Sequence, residues 1–432
     1  MIKKADLLFV ATVLGLGWAM RGHFGHEWGA SWAGAMGALA VLIVSRRMDW
    51  IRRGPVLAAL GAIGWAVGGM MSYGLVIGYC RSVTFLNSLY GYTMLVIIGG
   101  LYGFIGGGLF GLGLESGEKK SPQWPALISE MLVGGFIVWG LLIYHMEWFM
   151  TPPRSELWAG CLGAAIALSW FLYRHEFKRA LRVAAYSALG AGFGFAFGNF
   201  VQLLGNTMEI SYNWWNVMEF TLGFFGGLGM VYAVLTREWP KSVGPSATGN
   251  WIAIAFVFFF IPVTNYINGF NREYFINLAG RLHIYEAEHF ANLQFIYGGT
   301  SIIIFVLLAI MVWKRCSSGN DKNMTYCIPA LLLITTIQYN LFTYLRLGTF
   351  FKTFSFRFSE SLYIFIIILI FTIWYSGLRK TTSFPGGNIG KDTWKHWRIL
   401  IAGMIIFLVA ITIISINIHG ELPGAHNRFQ FD

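Results

Sequence analysis

The chain has 432 residues, of which 56% are hydrophobic and only 12% are charged. Soluble domains carry roughly 25% charged residues, so this composition excludes a soluble protein and indicates an integral membrane protein. The formal net charge of +11 agrees with the excess of Lys and Arg in the cytoplasmic segments of membrane proteins. The sequence therefore predicts the lipid bilayer as a partner, and no nucleic acid.

Thirteen apolar stretches are long enough for membrane-spanning helices, which need about 20 residues. The first stretch follows the basic start "MIKK", as in a signal peptide, but it has no small-residue cleavage site and is expected to remain as a helix. The predicted spans are 6–20, 28–45, 55–76, 93–113, 127–146, 156–173, 183–205, 214–235, 250–268, 296–313, 326–345, 360–377 and 397–418.

The charge of the connecting segments predicts the orientation. If the N-terminus is inside and the spans alternate, 22 of the 31 Lys and Arg residues fall in inner segments, as the positive-inside rule requires. The sequence therefore predicts an all-α, polytopic protein of the cell membrane, which in a bacterium is the inner membrane. Its N-terminus is expected in the cytoplasm and its C-terminus outside.

Glycine divides the chain into a Gly-rich region, 1–238, which holds 38 of the 53 glycines, and a second region, 239–432. Small residues let membrane helices approach closely, so we expect the first eight spans to pack tightly and the last five more loosely. Glycines recur every four residues on the fourth and seventh spans, at Gly99, Gly103, Gly107 and Gly111, and at Gly190, Gly194 and Gly198.

Short matches within the Gly-rich region indicate an internal repeat. "GWAMRG" at 17–22 resembles "GWAVGG" at 64–69, "WAGAMGA" at 32–38 resembles "WAGCLGA" at 158–164, and "GLGWAM" at 15–20 resembles "GFGFAF" at 192–197. Parallel repeats about an axis along the membrane normal are known from transporters. We predict four parallel helical hairpins, followed by five further helices; the hairpins are 6–47, 55–117, 127–175 and 183–237.

The stretch "RGHFGHEWG" at 21–29 places four ionisable residues in the outer turn of the first hairpin. Arg21 is suited to bidentate contacts with an anion, and His23 and His26 can exchange protons near neutral pH. Glu27 begins the next span, where the helix dipole favours an acid. Pairing of Arg21 with Glu27 is the purely structural alternative.

Three further residues are candidates for contacting a solute. Glu219 lies within the eighth span, where a carboxylate is costly unless it is paired or faces a cavity. Asn199 lies on the seventh span, and Asn265 follows Pro262 in the ninth.

Arginine predominates among the cations of the predicted outer segments, which are Arg21, Arg81, Arg154, Arg272, Arg281, Arg346, Lys352, Arg357 and Arg428. This bias indicates an outward-facing polar site.

A metal site is the weaker alternative for the outer histidines. His23 and His26 would have to converge with His283 and His289 from a distant loop, and neither stretch has the HExxH or HxxEH spacing. The sequence also has no phosphate-binding loop, dinucleotide-binding fingerprint or nucleophile elbow. It therefore predicts neither a metal nor a cofactor.

Three functions fit these residues. The first is a transporter (permease) for a small anionic or polar solute, with Arg21 as the anchor and His23, His26 or Glu27 coupling protons. The second is a membrane-embedded enzyme acting on the outer side, an acyl or glycosyl transferase or a hydrolase. In that enzyme His26 is the general base, Glu27 orients it and Arg21 stabilises negative charge. The third is a non-catalytic assembly partner; the oligomeric state does not follow from the sequence.

Overall fold

The computed structural model describes residues 3–152, 156–318, 321–349, 363–370, 372 and 392–429. Within them the regular structure is helical and no β-strand is present. The Gly-rich region contains α1 (Lys4–Arg21), α2 (Glu27–Ser45), α3 (Met48–Ile51), α4 (Gly54–Gly69), α5 (Gly74–Cys80), α6 (Phe85–Glu115), α7 (Trp124–Trp139), α8 (Leu157–Arg174), α9 (Lys178–Thr207) and α10 (Trp214–Leu235).

The second region contains α11 (Ala247–Ala255), α12 (Ile261–Gly269), α13 (Arg272–Arg281), α14 (Ala287–Ser317), α15 (Asp321–Leu347) and α16 (Trp394–Ile418). Residues 363–370 are also helical. Two short π-helical turns occur, one extending α7 and one joining α11 to α12; they are Gly140–His145 and Phe256–Phe260.

Ten helical stretches of the described residues are long and apolar enough to cross a membrane, as expected for a membrane-embedded protein. The number rises to eleven if α4 and α5, which are bent by 62° at their junction, form one broken span. The sequence predicts thirteen. The two spans beyond these eleven are α1, whose 18 residues include Lys4, Asp6 and Arg21, and the predicted span 360–377, half of which lies outside the described residues.

Six helices form a closed ring in which each packs against the next: α1, α2, α4, α6, α9 and α10. Glycine makes this close approach feasible. A methyl group on Gly99 of α6 would lie 2.5 Å from the Ala191 carbonyl oxygen of α9, and one on Gly194 of α9 would collide with the Thr221 carbonyl of α10. The predicted glycine ladders are thus confirmed as helix interfaces.

The expected contrast between tight and loose spans is wrong at two positions. The span 124–145, which contains α7, is only 11% buried because α7 packs mainly on α8, at the edge of the bundle. The span 323–347 of α15 is 78% buried. It packs on α2, where the rings of Trp32 and Tyr339 stack with their centroids 4.3 Å apart. Packing against neighbouring helices, and not position in the chain, determines burial.

Trp18, Trp65 and Tyr102 form an aromatic layer that fills the centre of the ring, and all three are fully buried. Trp18 packs edge-on against Trp65 at 5.5 Å and against Tyr102 at 5.1 Å. Trp65 also lies directly on Gly106 of α6 and Gly226 of α10, where a methyl group would come within 2.7 Å and 3.0 Å of its ring. Trp65 also lies against Gly34 of α2, so one tryptophan of α4 contacts four other helices of the ring.

Among the described residues, several of the segments that the charge pattern predicts as inner lie together at one end of the bundle. Arg47 donates to the carbonyl oxygens of Trp239 and Pro240. Arg182 and Arg237 both pair with Asp392 just before α16. The opposite end carries the turn after α1, the α4–α5 junction and the start of α10, and it holds the candidate site.

Candidate functional site

The site is organised around Arg21, the last residue of α1, which is only 2% exposed. Its Nη1 donates to Oε1 of Glu219 at 3.0 Å, and Glu219, in the second turn of α10, is fully buried. The chain reverses after Arg21 at Gly25, whose φ of +88° favours glycine. Gly29 then allows α2 to pack on Arg21, because a methyl group there would lie 2.9 Å from Arg21 Cγ.

Tyr73 joins this ion pair from the junction of α4 and α5. Its hydroxyl accepts from Arg21 Nη1 at 2.5 Å and donates to Glu219 Oε1. The ring is held between Trp215, which is stacked on it at 5.8 Å, and Phe195, which meets it edge-on at 4.9 Å. The break in the span thus delivers a hydroxyl group to a buried carboxylate.

His26 completes the arrangement, which we call the Arg21–Glu219 network and which comprises Arg21, His26, Tyr73 and Glu219. Arg21 Nη2 lies 3.1 Å from His26 Nδ1. A guanidinium can only donate, so Nδ1 accepts and the ring proton lies on Nε2. Arg21 also donates to the carbonyl oxygens of His26 and Gly69. All three guanidinium nitrogens are therefore hydrogen-bonded.

The network holds one positive and one negative charge away from water, so it is neutral as a whole. Burying such a pair is tolerated because each charge compensates the other, and removing one partner typically costs about 3–5 kcal/mol. Oε2 of Glu219 is buried and accepts no hydrogen bond from the described residues. An unsatisfied buried acceptor is costly.

A cavity of about 440 Å³ lies beside the network. It is lined by His26, Ser72, Tyr73, Gly74, Leu75, Thr151, Pro152, Trp215 and His426. His26 and Tyr73 belong to both the cavity and the network, so a solute in the cavity would be one side chain away from Arg21. The aromatic layer lies deeper in the ring, since Trp18 is one turn before Arg21 and its ring lies 5.0 Å from the guanidinium carbon.

One wall of the cavity comes from the other end of the chain. Residues 419–429, which we call the C-terminal strap, fold back over α5 and the start of α6. Asn87 Oδ1 accepts from the backbone nitrogens of Arg428 and Phe429 at 2.7 and 2.8 Å, and its Nδ2 donates to the Phe429 carbonyl. The backbone nitrogen of His426 donates to the Gly78 carbonyl at 3.0 Å. His426 is thereby fixed at the cavity.

The structure brings together three of the predicted site residues, Arg21, His26 and Glu219. Glu27 begins α2, is half-buried and lies outside the network. The alternative in which Arg21 pairs with Glu27 is wrong, because Arg21 pairs with Glu219 instead. His23 lies on the same turn, with its ring 6.4 Å from that of Tyr363.

The two predicted amides occupy different places. Asn199 donates to Gln202 at 3.0 Å and contacts the sulfur of Met218, the neighbour of Glu219, so it borders the network. Asn265 donates to the Trp28 carbonyl at 3.1 Å and joins α12 to the first turn of α2. Asn265 therefore serves helix packing and lies outside the network.

The histidines considered as metal ligands are not gathered into a centre. His283 and His289 are exposed on the segment that ends α13 and begins α14. Within the described ranges, no group of three or more His, Cys, Asp or Glu residues has an arrangement that could hold a metal ion. Among the predicted outer cations, Arg154, Lys352 and Arg357 lie outside those ranges.

The candidate site residues chosen from the sequence did not include Tyr73, Trp215 or His426, although His426 is one of the histidines predicted on the outer side. The stretch "MMSYG" at 70–74 carried a usable signal, because it interrupts an apolar span with a polar residue and a glycine, as in the discontinuous helices of transporters. Trp215 and His426 gave no local signal, since only the fold places them at the cavity. In comparisons with known proteins, no protein-family model, no curated protein and no solved structure matches this chain.

Proposed function

We propose that this protein is a permease that moves a small anionic or polar solute across the membrane. The observation that carries the proposal is the buried Arg21–Glu219 pair, which meets a broken span, α4–α5, at the edge of a cavity. Transporters place their solute sites at discontinuous helices. Ionisable groups within membrane segments also mark solute or proton pathways.

The surroundings of the network support transport further. The cavity approaches it from one end of the bundle, while the aromatic layer fills the ring on its deeper side. A carrier needs a site that opens to one side while the other side is closed. In our proposal the cavity is the open side and Trp18, Trp65 and Tyr102 close the other.

The enzyme hypothesis has less support from this geometry. It assigns His26 as a general base oriented by Glu27, yet the Nδ1 of His26 accepts from Arg21, a cation. A base needs a group that stabilises its protonated form, and a neighbouring guanidinium does the opposite. We therefore favour transport.

The proposal includes the finer architecture predicted from the sequence: thirteen spans, four parallel hairpins, and an N-terminus inside and a C-terminus outside the cell membrane. Each proposed hairpin corresponds to a packed helix pair, α1–α2, α4–α6, α7–α8 or α9–α10. Trp18 and Trp65, which occupy the same position in "GWAMRG" and "GWAVGG", are in contact. In this orientation the cavity opens to the outside.

Uptake into proteoliposomes tests the function. The probes are radiolabelled pyruvate, succinate, inorganic phosphate and glucose, with protein-free liposomes as background. We expect uptake of at least one anion by the wild type and none by Arg21→Ala. Arg272→Ala is the matched control, because Arg272 is an exposed arginine paired with Glu288, and it should transport normally.

Tyr73→Phe provides a milder variant in case Arg21→Ala is too unstable to reconstitute. It keeps the ring packing and removes only the hydroxyl that joins Arg21 to Glu219, so it should reduce uptake. Absence of uptake of every probe, together with release of a modified lipid or glycan, would overturn the permease in favour of the enzyme.

A further inference from the structure

We propose that Glu219 is an internal substitute for the transported anion, and that the substrate is a small organic monocarboxylate carried together with one proton. A proton on Glu219 releases Arg21, which then binds the carboxylate group of the substrate. This inference rests on the proposed function and specifies its substrate class and its coupling.

The first argument is the shape of the binding group. Arg21 already holds a carboxylate, and that carboxylate receives a second hydrogen bond from Tyr73. Guanidinium groups match carboxylates in plane and spacing. A substrate carboxylate that replaced Glu219 at these donors would find the same two partners without any new polar group.

The second argument is charge. With Glu219 ionised, the buried network has no net charge, and an anion entering it would leave an uncompensated negative charge in a medium where that is very costly. If a proton binds Oε2 of Glu219 first, the carboxyl becomes neutral and Arg21 has lost its counter-ion. A monocarboxylate then restores neutrality. In this protonated form a neutral solute would leave the charge of Arg21 uncompensated, and a dianion would leave a net negative charge.

The third argument is that Glu219 is the group in the network that can change its charge. Arginine stays protonated in proteins, and tyrosine hydroxyls ordinarily ionise only near about pH 10. The tyrosines facing Glu219 are Tyr73, Tyr102 of α6 and Tyr339 of α15. His26 cannot take a proton on Nδ1 while that atom accepts from Arg21. Oε2 of Glu219, which is buried and accepts no hydrogen bond from the described residues, is left as the proton acceptor.

The cavity fits the rest of such a molecule. Leu75, Pro152 and Trp215 give it apolar wall area, and its volume of about 440 Å³ admits a short carbon chain. His26 and Tyr73 lie between this space and Arg21. A monocarboxylate can therefore place its carbon chain in the cavity and its carboxylate at the guanidinium.

Binding to the purified full-length protein in detergent tests the inference without requiring transport. Pyruvate is titrated between pH 5 and pH 8. Because one proton binds with each anion, the wild-type affinity should fall about tenfold per pH unit once Glu219 is ionised. Glu219→Gln has no carboxylate to compete, so it should bind pyruvate with the same affinity across the range. A pH-independent wild type, or an unchanged slope in Glu219→Gln, would overturn the inference.

A second variant covers the case in which Glu219→Gln does not fold. Glu219→Ala leaves Arg21 without a counter-ion and opens the space of one carboxylate. Acetate should then raise the thermal stability of this variant, and the same concentration of chloride should not. Equal effects of the two salts would show that the space does not recognise a carboxylate.

Uptake separates this inference from the proposed function. Pyruvate should enter proteoliposomes when an inward proton gradient is imposed, and a membrane potential set with potassium and valinomycin should not change the rate. If pyruvate binds as described but no probe is taken up, the permease fails and the carboxylate site stands. If a probe is taken up without proton-linked pyruvate binding, the permease stands and this inference fails.

Discussion

Arg21 and Glu219 are 198 residues apart in the chain, yet their side chains meet at 3.0 Å inside the six-helix ring. They lie on α1 and α10, the helices whose contact closes that ring. The contact between α1 and α10 that closes the ring therefore also forms the ion pair of the site. A change at either residue should affect folding as well as function.

The first prediction concerns this pair. Arg21→Gln and Glu219→Gln should each lower the free energy of unfolding by about 3–5 kcal/mol, because each leaves a buried charge without its partner. The double variant Arg21→Gln/Glu219→Gln should be more stable than the sum of the single effects implies. Chemical denaturation in detergent measures all three, and strict additivity would contradict a direct pairing.

The second prediction concerns the hydroxyl of Tyr73. Tyr73→Phe should cost roughly 1.5–3 kcal/mol, the usual range for hydrogen bonds to charged groups. Tyr266→Phe is the control, because the Tyr266 hydroxyl donates to a neutral carbonyl, that of Phe295, at 3.0 Å, and it should cost about 1 kcal/mol. The same denaturation experiment compares them. Equal losses would mean that the hydroxyl of Tyr73 does not stabilise the ion pair.

Only some of the residues of this network could be identified from the sequence. Arg21, His26 and Glu219 could be selected because charged groups are rare and costly in apolar segments. The pairing of Arg21 with Glu219 could not be predicted, because Glu27 lies nearer to Arg21 in the chain. Only the packing of the six-helix ring brings Glu219 to Arg21. Tyr73 looked like one tyrosine among nineteen, and its role depends on a bend that composition alone does not fix.

The fold was predictable to a similar degree. Apolar stretches and glycine spacing identified most helices and the interfaces of α6 with α9 and of α9 with α10. The burial of α15 and the exposure of α7 were not foreseen, because both helices are apolar. In a membrane protein an apolar residue can face either lipid or another helix, so composition does not distinguish a central helix from a peripheral one.

The third prediction tests the glycine packing. Gly99→Ala should lower the free energy of unfolding by about 1–3 kcal/mol, the usual cost of overpacking, because its methyl group would lie 2.5 Å from the Ala191 carbonyl oxygen. Gly140→Ala is the control, since among the described residues no atom beyond its own stretch of helix lies within 4 Å of the corresponding position. Thermal unfolding in detergent compares them, and a harmless Gly99→Ala would refute the close approach of α6 and α9.

The fourth prediction concerns the C-terminal strap. Asn87→Ala removes three hydrogen bonds to the backbone of Arg428 and Phe429, so the strap should detach and the cavity should open. Ser72→Cys reports this opening as faster labelling by a membrane-impermeant maleimide, because the four native cysteines are buried. Asn417→Ala, whose amide bonds its own helix at Ile413, should not change the rate. Unchanged labelling in Asn87→Ala would show that the strap stays docked.

The fifth prediction concerns pH and the attachment of α16. Burial alone would raise the pKa of Asp392, but hydrogen bonds from Arg182 and Tyr186 and the charges of Arg182 and Arg237 outweigh it and hold this pKa below its ordinary value of 3.8. The ionised form is thus favoured by folding. Its stabilisation is complete above about pH 4 and is lost as the pH falls through the lowered value.

Asp392→Asn tests this linkage. The wild type should melt at a higher temperature than the variant at neutral pH, and the difference should shrink below about pH 4 as the carboxyl of the wild type is protonated. Melting curves of both proteins across this range provide the measurement. A gap that widens in acid would mean that Asp392 is held in its protonated form.

Helix α4 carries Trp65 at the centre of the ring and ends at the junction that presents Tyr73. A tilt of α4 would withdraw Trp65 from α1, α6 and α10. The same tilt would move the Tyr73 hydroxyl away from the ion pair. The aromatic layer on the deeper side of the site and Tyr73 at the cavity would then move together. In the proposed permease, one helix would thus move both sides of the site together.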